Sequence, residues 1–138
     1  MPPADPSPVV RSSRGVTTSA RAFFLPAHSD PREPKYVFGY AIRIANDGPE
    51  PVRLLWRRWL ITDGTGRSHE VRGAGVVGEQ PRLEPGSFFE YQSFCPLPTP
   101  SGTMEGAMTM QIEGGTLFEV PVGPFTLDTA SALEGDAE

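Results

Sequence analysis

Apolar and polar positions alternate along most of this chain with the two-residue period of a strand, not the 3.6-residue period of a helix. The pattern is clearest from Tyr36 to Ile44, where Tyr36, Phe38, Tyr40, Ile42 and Ile44 share one face and small or polar residues the other. Val16, Thr18, Ala20, Ala22 and Phe24 alternate in the same way between Val16 and Pro26. Val52 to Thr62 predicts another strand, with Leu55, Arg57, Trp59 and Ile61 on one face and Leu54, Trp56, Arg58 and Leu60 on the other. Arg67 to Arg72, Gly86 to Phe94, Met104 to Ile112 and Thr116 to Leu127 bring the set to about seven.

Turn chemistry separates these runs. Asn46-Asp47-Gly48-Pro49 and Asp63-Gly64-Thr65-Gly66 supply residues that tolerate positive φ, Glu113-Gly114-Gly115 joins the last two strands, and Ala27 to Pro34 is a proline-containing loop. The 15 glycines and 16 prolines are spread so evenly that no window sustains a helix. Short strands with turns every 8 to 12 residues predict an all-β fold, an antiparallel β-sandwich of about seven strands. At 138 residues the chain fits one domain, which folding would pack by burying roughly two-thirds of its surface. The expected boundaries are a flexible arm over 1–14, the sandwich over 15–128 and an acidic flexible tail over 129–138.

Charge and composition remove several function classes. The formal net charge of -5 is concentrated at the C-terminal end, and between Arg14 and Leu127 there are 11 basic against 12 acidic side chains. A nearly neutral domain lacks the basic footprint of a bulk nucleic-acid binder. No apolar run approaches the roughly 18 to 20 residues of a membrane-spanning helix, so membrane insertion is not expected. Met1 to Val10 lacks the basic and apolar regions of a signal peptide, and the single Cys95 offers no disulfide framework. The expected compartment is the cytoplasm.

The stretch most suggestive of chemistry is Gly73-Ala74-Gly75-Val76-Val77-Gly78-Glu79-Gln80-Pro81. Its G-x-G-x-x-G spacing is that of a dinucleotide-binding turn, in which a helix N-terminus receives the pyrophosphate. Pro81 and Pro85 exclude a continuous helix after Gly78, and the flanking pattern is β. Two readings remain. The glycines permit a tight, irregular connection in which Val76 and Val77 tuck against the sandwich. Alternatively, successive loop N–H groups form an anion-binding nest for a pyrophosphate or nucleotide, with Arg72 or Arg82 beside it.

Catalytic constellations are not found. His28 and His69 stand apart, with no metal-ligand spacing, and neither a metal nor a cofactor is expected. Cys95, followed by Pro96, carries no nucleophile signature, and the glutamates at 79, 84, 90, 105 and 119 are scattered singly. Arg57, between Leu55 and Trp59 on an otherwise apolar face, either packs its stem over Trp59 and pairs with a nearby carboxylate or contacts an anion or partner.

Taken together, Tyr36 to Tyr40, Leu54 to Asp63, Gly73 to Pro81, Pro85-Gly86, Glu90 to Ser93 and Thr99 to Gly106 resemble the ApaG domain, also called CorD, over about Val16 to Leu127. The resemblance implies a fibronectin type III-like or immunoglobulin-like sandwich with no established enzymatic activity. It also implies a loose association with a diadenosine tetraphosphatase operon, cobalt resistance and magnesium efflux. In eukaryotic F-box and polymerase-interacting proteins, such domains look like protein-interaction modules. The family commonly has histidine between the residues matching Arg57 and Trp59, where this chain has Arg58.

The expected function is therefore a non-enzymatic interaction module without catalytic residues. Its partner would be an unknown protein, met by Arg57, Trp59 and the Gly73 to Pro81 loop with the neighbouring Pro96 to Glu105 connection. The alternative is pyrophosphate or dinucleoside polyphosphate binding at Gly73, Gly75 and Gly78. A homodimer through a sandwich edge is compatible with either.

Overall fold

A computed structural model describes residues 8–131. Nine strands follow one another: β1 Val9–Ser13, β2 Val16–Phe24, β3 Tyr36–Asn46, β4 Val52–Asp63, β5 Ser68–Ala74, β6 Arg82–Leu83, β7 Phe88–Leu97, β8 Ser101–Ile112 and β9 Leu117–Asp128. Single 3-10 turns lie at Pro26–His28 and Thr129–Ser131. All pairings are antiparallel, in two sheets ordered β1-β2-β3-β7 and β5-β4-β8-β9, with β6 also on β4. The sheets pack face to face as a β-sandwich.

The core follows the alternation. Phe38, Tyr40, Ile42 and Ile44 of β3 meet Leu54, Trp59 and Ile61 of β4, Met104, Met108 and Met110 of β8, and Val120, Val122, Phe125 and Leu127 of β9. Trp59 sits edge-on to Tyr40 and Phe125, with ring centroids 5.7 and 5.9 Å away. Such edge-to-face contacts add to what burial alone contributes. Thr18, the one polar residue on the inward face of β2, is satisfied by donating its hydroxyl to the Pro121 carbonyl at 2.7 Å. On the opposite face of the first sheet, Phe23, Leu25 and Val37 form a second small cluster where polar or small residues were expected.

Three expectations are corrected. Residues 9 to 13, assigned to a flexible arm, form β1, which pairs with β2 from Val9 opposite Ala20 to Ser13 opposite Val16. Arg11 Nε also donates to the Gly123 carbonyl at 2.8 Å. Backbone pairing at a sheet edge, with Val9 packed against the core, holds this segment. The short β6 was not anticipated either. At the other end, the ordered fold runs past 128 through the Thr129–Ser131 turn, whose Ser131 is buried. The remaining parts of the expected arm and tail, 1–7 and 132–138, lie outside the described residues.

The third correction concerns β4. Its pairing with β8 shifts between Leu54 and Trp56, leaving Leu55 as an extra, bulged residue. The bulge inverts the phase of side chains on either side of it. Val52 and Leu54 therefore share the interior with Trp59 and Ile61, while Leu55, expected on that face, is only partly buried. Arg57 stays in phase with Trp59.

Candidate functional site

β5 and β6 lie along the same edge of β4. Ala74 pairs with Trp56 and Arg82 with Arg53, so only Leu54 and Leu55 separate the two paired stretches on β4. On the other side, residues 75–81 must span that interval. The glycine-rich stretch is thus an excursion within one broken edge strand, seated on the β4 bulge. The carbonyl of Leu55 accepts from the Gly75 N–H at 2.8 Å and the Gln80 side-chain amide at 2.9 Å. Leu54 N–H donates to the Pro81 carbonyl at 3.0 Å, and Arg53 Nη1 to the Gln80 carbonyl at 2.9 Å.

Within the excursion, Val76 N–H donates to Glu79 O at 2.8 Å and Glu79 N–H returns to Val76 O at 2.9 Å. The two residues between them, Val77 at φ 42° and Gly78 at φ 82°, both have the positive φ of a type I′ turn. Gly75, at φ 62°, admits no side chain, because a Cβ there would lie on the Glu79 carbonyl. Gly73 serves differently: a Cβ would come within 2.7 Å of Arg57 Nη1, so the bare backbone is the seat of that guanidinium. Arg57 Nη1 then donates to the carbonyls of Gly75 at 2.9 Å and Ala74 at 3.3 Å.

Beside this loop a cleft opens between the edge strands β5 and β7. It holds about 370 Å³ and is bordered by Arg57, Trp59 and Ile61 of β4, His69 and Val71 of β5, and Tyr91 to Pro96 of β7 excepting Gln92. Tyr40, Met104 and Val77 complete it. Val71 and Val77 lie at its mouth, 37% and 53% exposed, and Phe94, 67% exposed, stands beside it on the outward face of β7. The carboxylate partner expected for a packed Arg57 is corrected: the residue is partly buried, donates to backbone carbonyls and has no carboxylate in ion-pair range among the described residues. The cations expected to flank an anion nest are engaged elsewhere: Arg72 with Glu70 at 2.7 Å, and Arg82 with both Glu84 and Glu113.

Burial sets the titration behaviour here. It raises the Tyr40 phenol, against which a hydrogen bond with Ser93 and the charge of Arg57 act in the lowering direction. It raises Tyr91 strongly, and pushes the Cys95 thiol up to about 11. A thiol held neutral is a poor nucleophile at ordinary pH. No three His, Cys, Asp or Glu side chains converge as a metal site among the described residues, and no helix is long and apolar enough to cross a membrane.

The sequence-selected residues therefore divide. Arg57, Trp59 and Val77 meet at the cleft, and Gly73, Gly75 and Gly78 shape the loop beside it. Glu79 and Gln80 are exposed and Pro81 is partly so. Val76 is corrected: it is fully buried in the core and presents nothing to a partner. The proposed neighbour, Pro96 to Glu105, is corrected too, since its only non-strand part is 98–100. Thr99 there accepts from Gly64 N–H at 2.8 Å, past the end of β4, roughly 26 Å from Leu55 at about 3.3 Å per residue. Only Pro96 of that segment and Met104 reach the cleft. Tyr40, Val71, Tyr91, Ser93 and Phe94 were not selected from the sequence. Phe94 had a legible signal, as a large aromatic residue out of phase with the inward-facing Tyr91 and Cys95.

Comparisons with known proteins agree with this architecture. The family model described as the ApaG domain matches residues 26–112. Protein ApaG of Brucella anthropi is 53% identical over 116 residues, covering 84% of this chain and 89% of that protein. Protein ApaG of Bordetella pertussis is 51% identical over 112 residues, covering 81% and 86%. Among solved structures, the ApaA protein from Bordetella pertussis superimposes with a TM-score of 0.80 at 50% identity, covering 82% of this chain and 92% of that one. A second X-ray structure, a structural genomics target, gives 0.80 at 38% identity over 87% and 91%. A family match over most of the sandwich, relatives of about 50% identity along nearly their whole length, and the same fold in crystals place the chain in the ApaG domain family.

Proposed function

We propose that this protein is a non-enzymatic, cytoplasmic interaction module whose recognition surface is the mouth of the β5–β7 cleft together with the Val77 turn. The observation that carries this reading is the mouth of the cleft: Val71 and Val77 are apolar side chains left exposed at one concave opening, and Phe94, 67% exposed, stands beside it on the outward face of β7 next to His28. Exposed apolar groups gathered at a concavity mark interaction sites more than scattered ones do. Any part the protein plays in cobalt resistance or magnesium efflux is then indirect, exerted through a partner.

Pyrophosphate or nucleotide binding at Gly73 to Gly78 is the weaker reading. The N–H groups of Gly75, Val76 and Glu79 are already donated to backbone carbonyls, and Arg72 and Arg82 are paired with carboxylates. A nest needs several free, convergent N–H groups. The two readings separate experimentally. Affinity capture with the intact protein, compared with Val77→Asp and Phe94→Asp, is expected to lose its specific partner in both variants, with melting curves confirming that each is folded. Identical captured sets from folded variants would refute the interaction surface. Amide shifts confined to Gly73 to Gly78 on adding a dinucleoside polyphosphate would favour the nucleotide reading instead.

A further inference from the structure

Beneath the β5–β7 cleft lie polar groups that the protein leaves without partners. The Trp59 indole N–H and the Tyr91 hydroxyl are buried and make no hydrogen bond, and both residues border the cleft. Trp59 is 2% exposed and Tyr91 8%. The edge-on ring of Tyr40 gives the indole no acceptor of ordinary hydrogen-bond strength. A buried donor left unpaired costs roughly 1–3 kcal/mol, and native structures contain few of them. Two beneath one cleft amount to a deficit that an occupant removes by parting the lining that covers them.

The charge at this cleft points the same way. Arg57, in phase with Trp59 on β4, has no carboxylate partner among the described residues, and it spends Nη1 alone on the Ala74 and Gly75 carbonyls. The indole and the guanidinium are donors only. An occupant must therefore bring acceptors and negative charge. Besides His69, Ser93 and the Tyr40 phenol, the lining is apolar, with Ile61, Val71, Val77 and Met104 among it, and takes an apolar body. A carboxylate meets both demands: its two coplanar oxygens match the guanidinium fork, and its single charge is balanced by one arginine. A phosphate dianion would be left half-compensated against apolar walls. The volume of about 370 Å³ lies near the lower end for small-molecule sites and suits one ring with a short acid arm.

We propose that the β5–β7 cleft binds a carboxylate carried on a compact apolar or aromatic body, with Arg57 as its counter-charge and the unpaired groups of Trp59 and Tyr91 as donors. This deepens the interaction reading and rests on it only in using the same cleft. The acid can be free or can be the C-terminus of a peptide ending in an aromatic residue.

The test titrates 3-phenylpropionate and its neutral amide into the isotopically labelled protein, following the Trp59 indole N–H, identified with Trp56→Phe. The acid is expected to move that resonance and to bind about tenfold more tightly than the amide. Arg57→Gln should abolish the preference. Tyr91→Phe, which removes one oxygen without opening a cavity, should weaken the acid about fivefold while the melting curve shows an intact fold. Equal affinity for acid and amide, or an unmoved indole resonance at about 10 mM acid, would overturn the proposal.

A peptide ending in a free phenylalanine carboxylate, against its amidated form, identifies the source. Preference for the free terminus supports a peptide ligand. Binding of the free acid with neither peptide bound supports the carboxylate site and removes the interaction reading. Equal binding of both peptides that is lost in Phe94→Asp keeps the interaction reading and overturns the carboxylate site.

Discussion

Val77 is held where a β-branched residue is least suited, and replacing it should stabilise the protein. It lies at φ 42° between the reciprocal Val76 and Glu79 backbone bonds, followed by Gly78 at φ 82°. For a residue with a Cβ the left-handed region costs roughly 1–2 kcal/mol, whereas asparagine and glycine occupy it readily. Against this stands the burial of the valine side chain, which is 53% exposed. Half of a valine's full burial contribution is about 0.7 kcal/mol. Val77→Asn should therefore gain about 0.5–1 kcal/mol. Val77→Gly should gain less, because the unfolded chain becomes more flexible by roughly 0.5–1 kcal/mol.

At an unfolding entropy of about 2 cal/mol/K per residue over about 120 residues, this gain raises Tm by about 2–4 °C. Urea denaturation should show a higher midpoint with an unchanged m-value, as expected when stability alone changes. A lower Tm for Val77→Asn, with m unchanged, would refute the claim that positive φ is imposed here at a cost. If the strain is retained because the exposed isopropyl group contacts a partner, the stabilised Val77→Asn should also bind that partner less well.

Two neighbouring glycines should respond differently to the same change. In Gly75→Ala, positive φ and contact with the Glu79 carbonyl combine, and loss of more than about 3 kcal/mol in denaturant unfolding is expected. In Gly73→Ala only the flexible Arg57 head must move, so stability should fall by about 1 kcal/mol while binding at the cleft falls sharply. Tyr91→Phe removes a buried hydroxyl with no partner, and its Tm should be equal to or above that of the parent by up to about 1 kcal/mol in stability.

Cys95, buried with its pKa raised to about 11, should resist a thiol reagent at pH 8 until the protein is unfolded. Because the folded pKa lies above the ordinary value of 9.0, the stability it contributes is present below pH 9 and is lost as pH rises from 9 through 11. Cys95→Ala should show a shallower loss over that interval in denaturant unfolding. An equal slope would show that the thiol is not the group responsible.

The alternation of Tyr36 to Ile44 specified β3 down to the faces of its side chains, because a strand with one buried side leaves a period-2 record in composition. Val9 to Ser13 left no such record. Edge pairing is a property of the backbone, and proline-rich flanks masked it. Likewise the G-x-G-x-x-G spacing was legible while its use was not. Three glycines are needed equally by a phosphate cradle and by this loop, where they seat Arg57, clear the Glu79 carbonyl and complete a positive-φ turn.

What the sequence determined by itself was the class of fold, most of the strands and the family, since these follow from periodicity, turn chemistry and ordered local motifs. What only the tertiary structure decided was the phase of β4 across the Leu55 bulge and the cleft that this phase leaves between β5 and β7. A single bulged residue reverses the facing of a strand without altering the composition on either side of it. The cleft, moreover, joins residues as distant in sequence as Tyr40 and Met104, and no local pattern records that meeting.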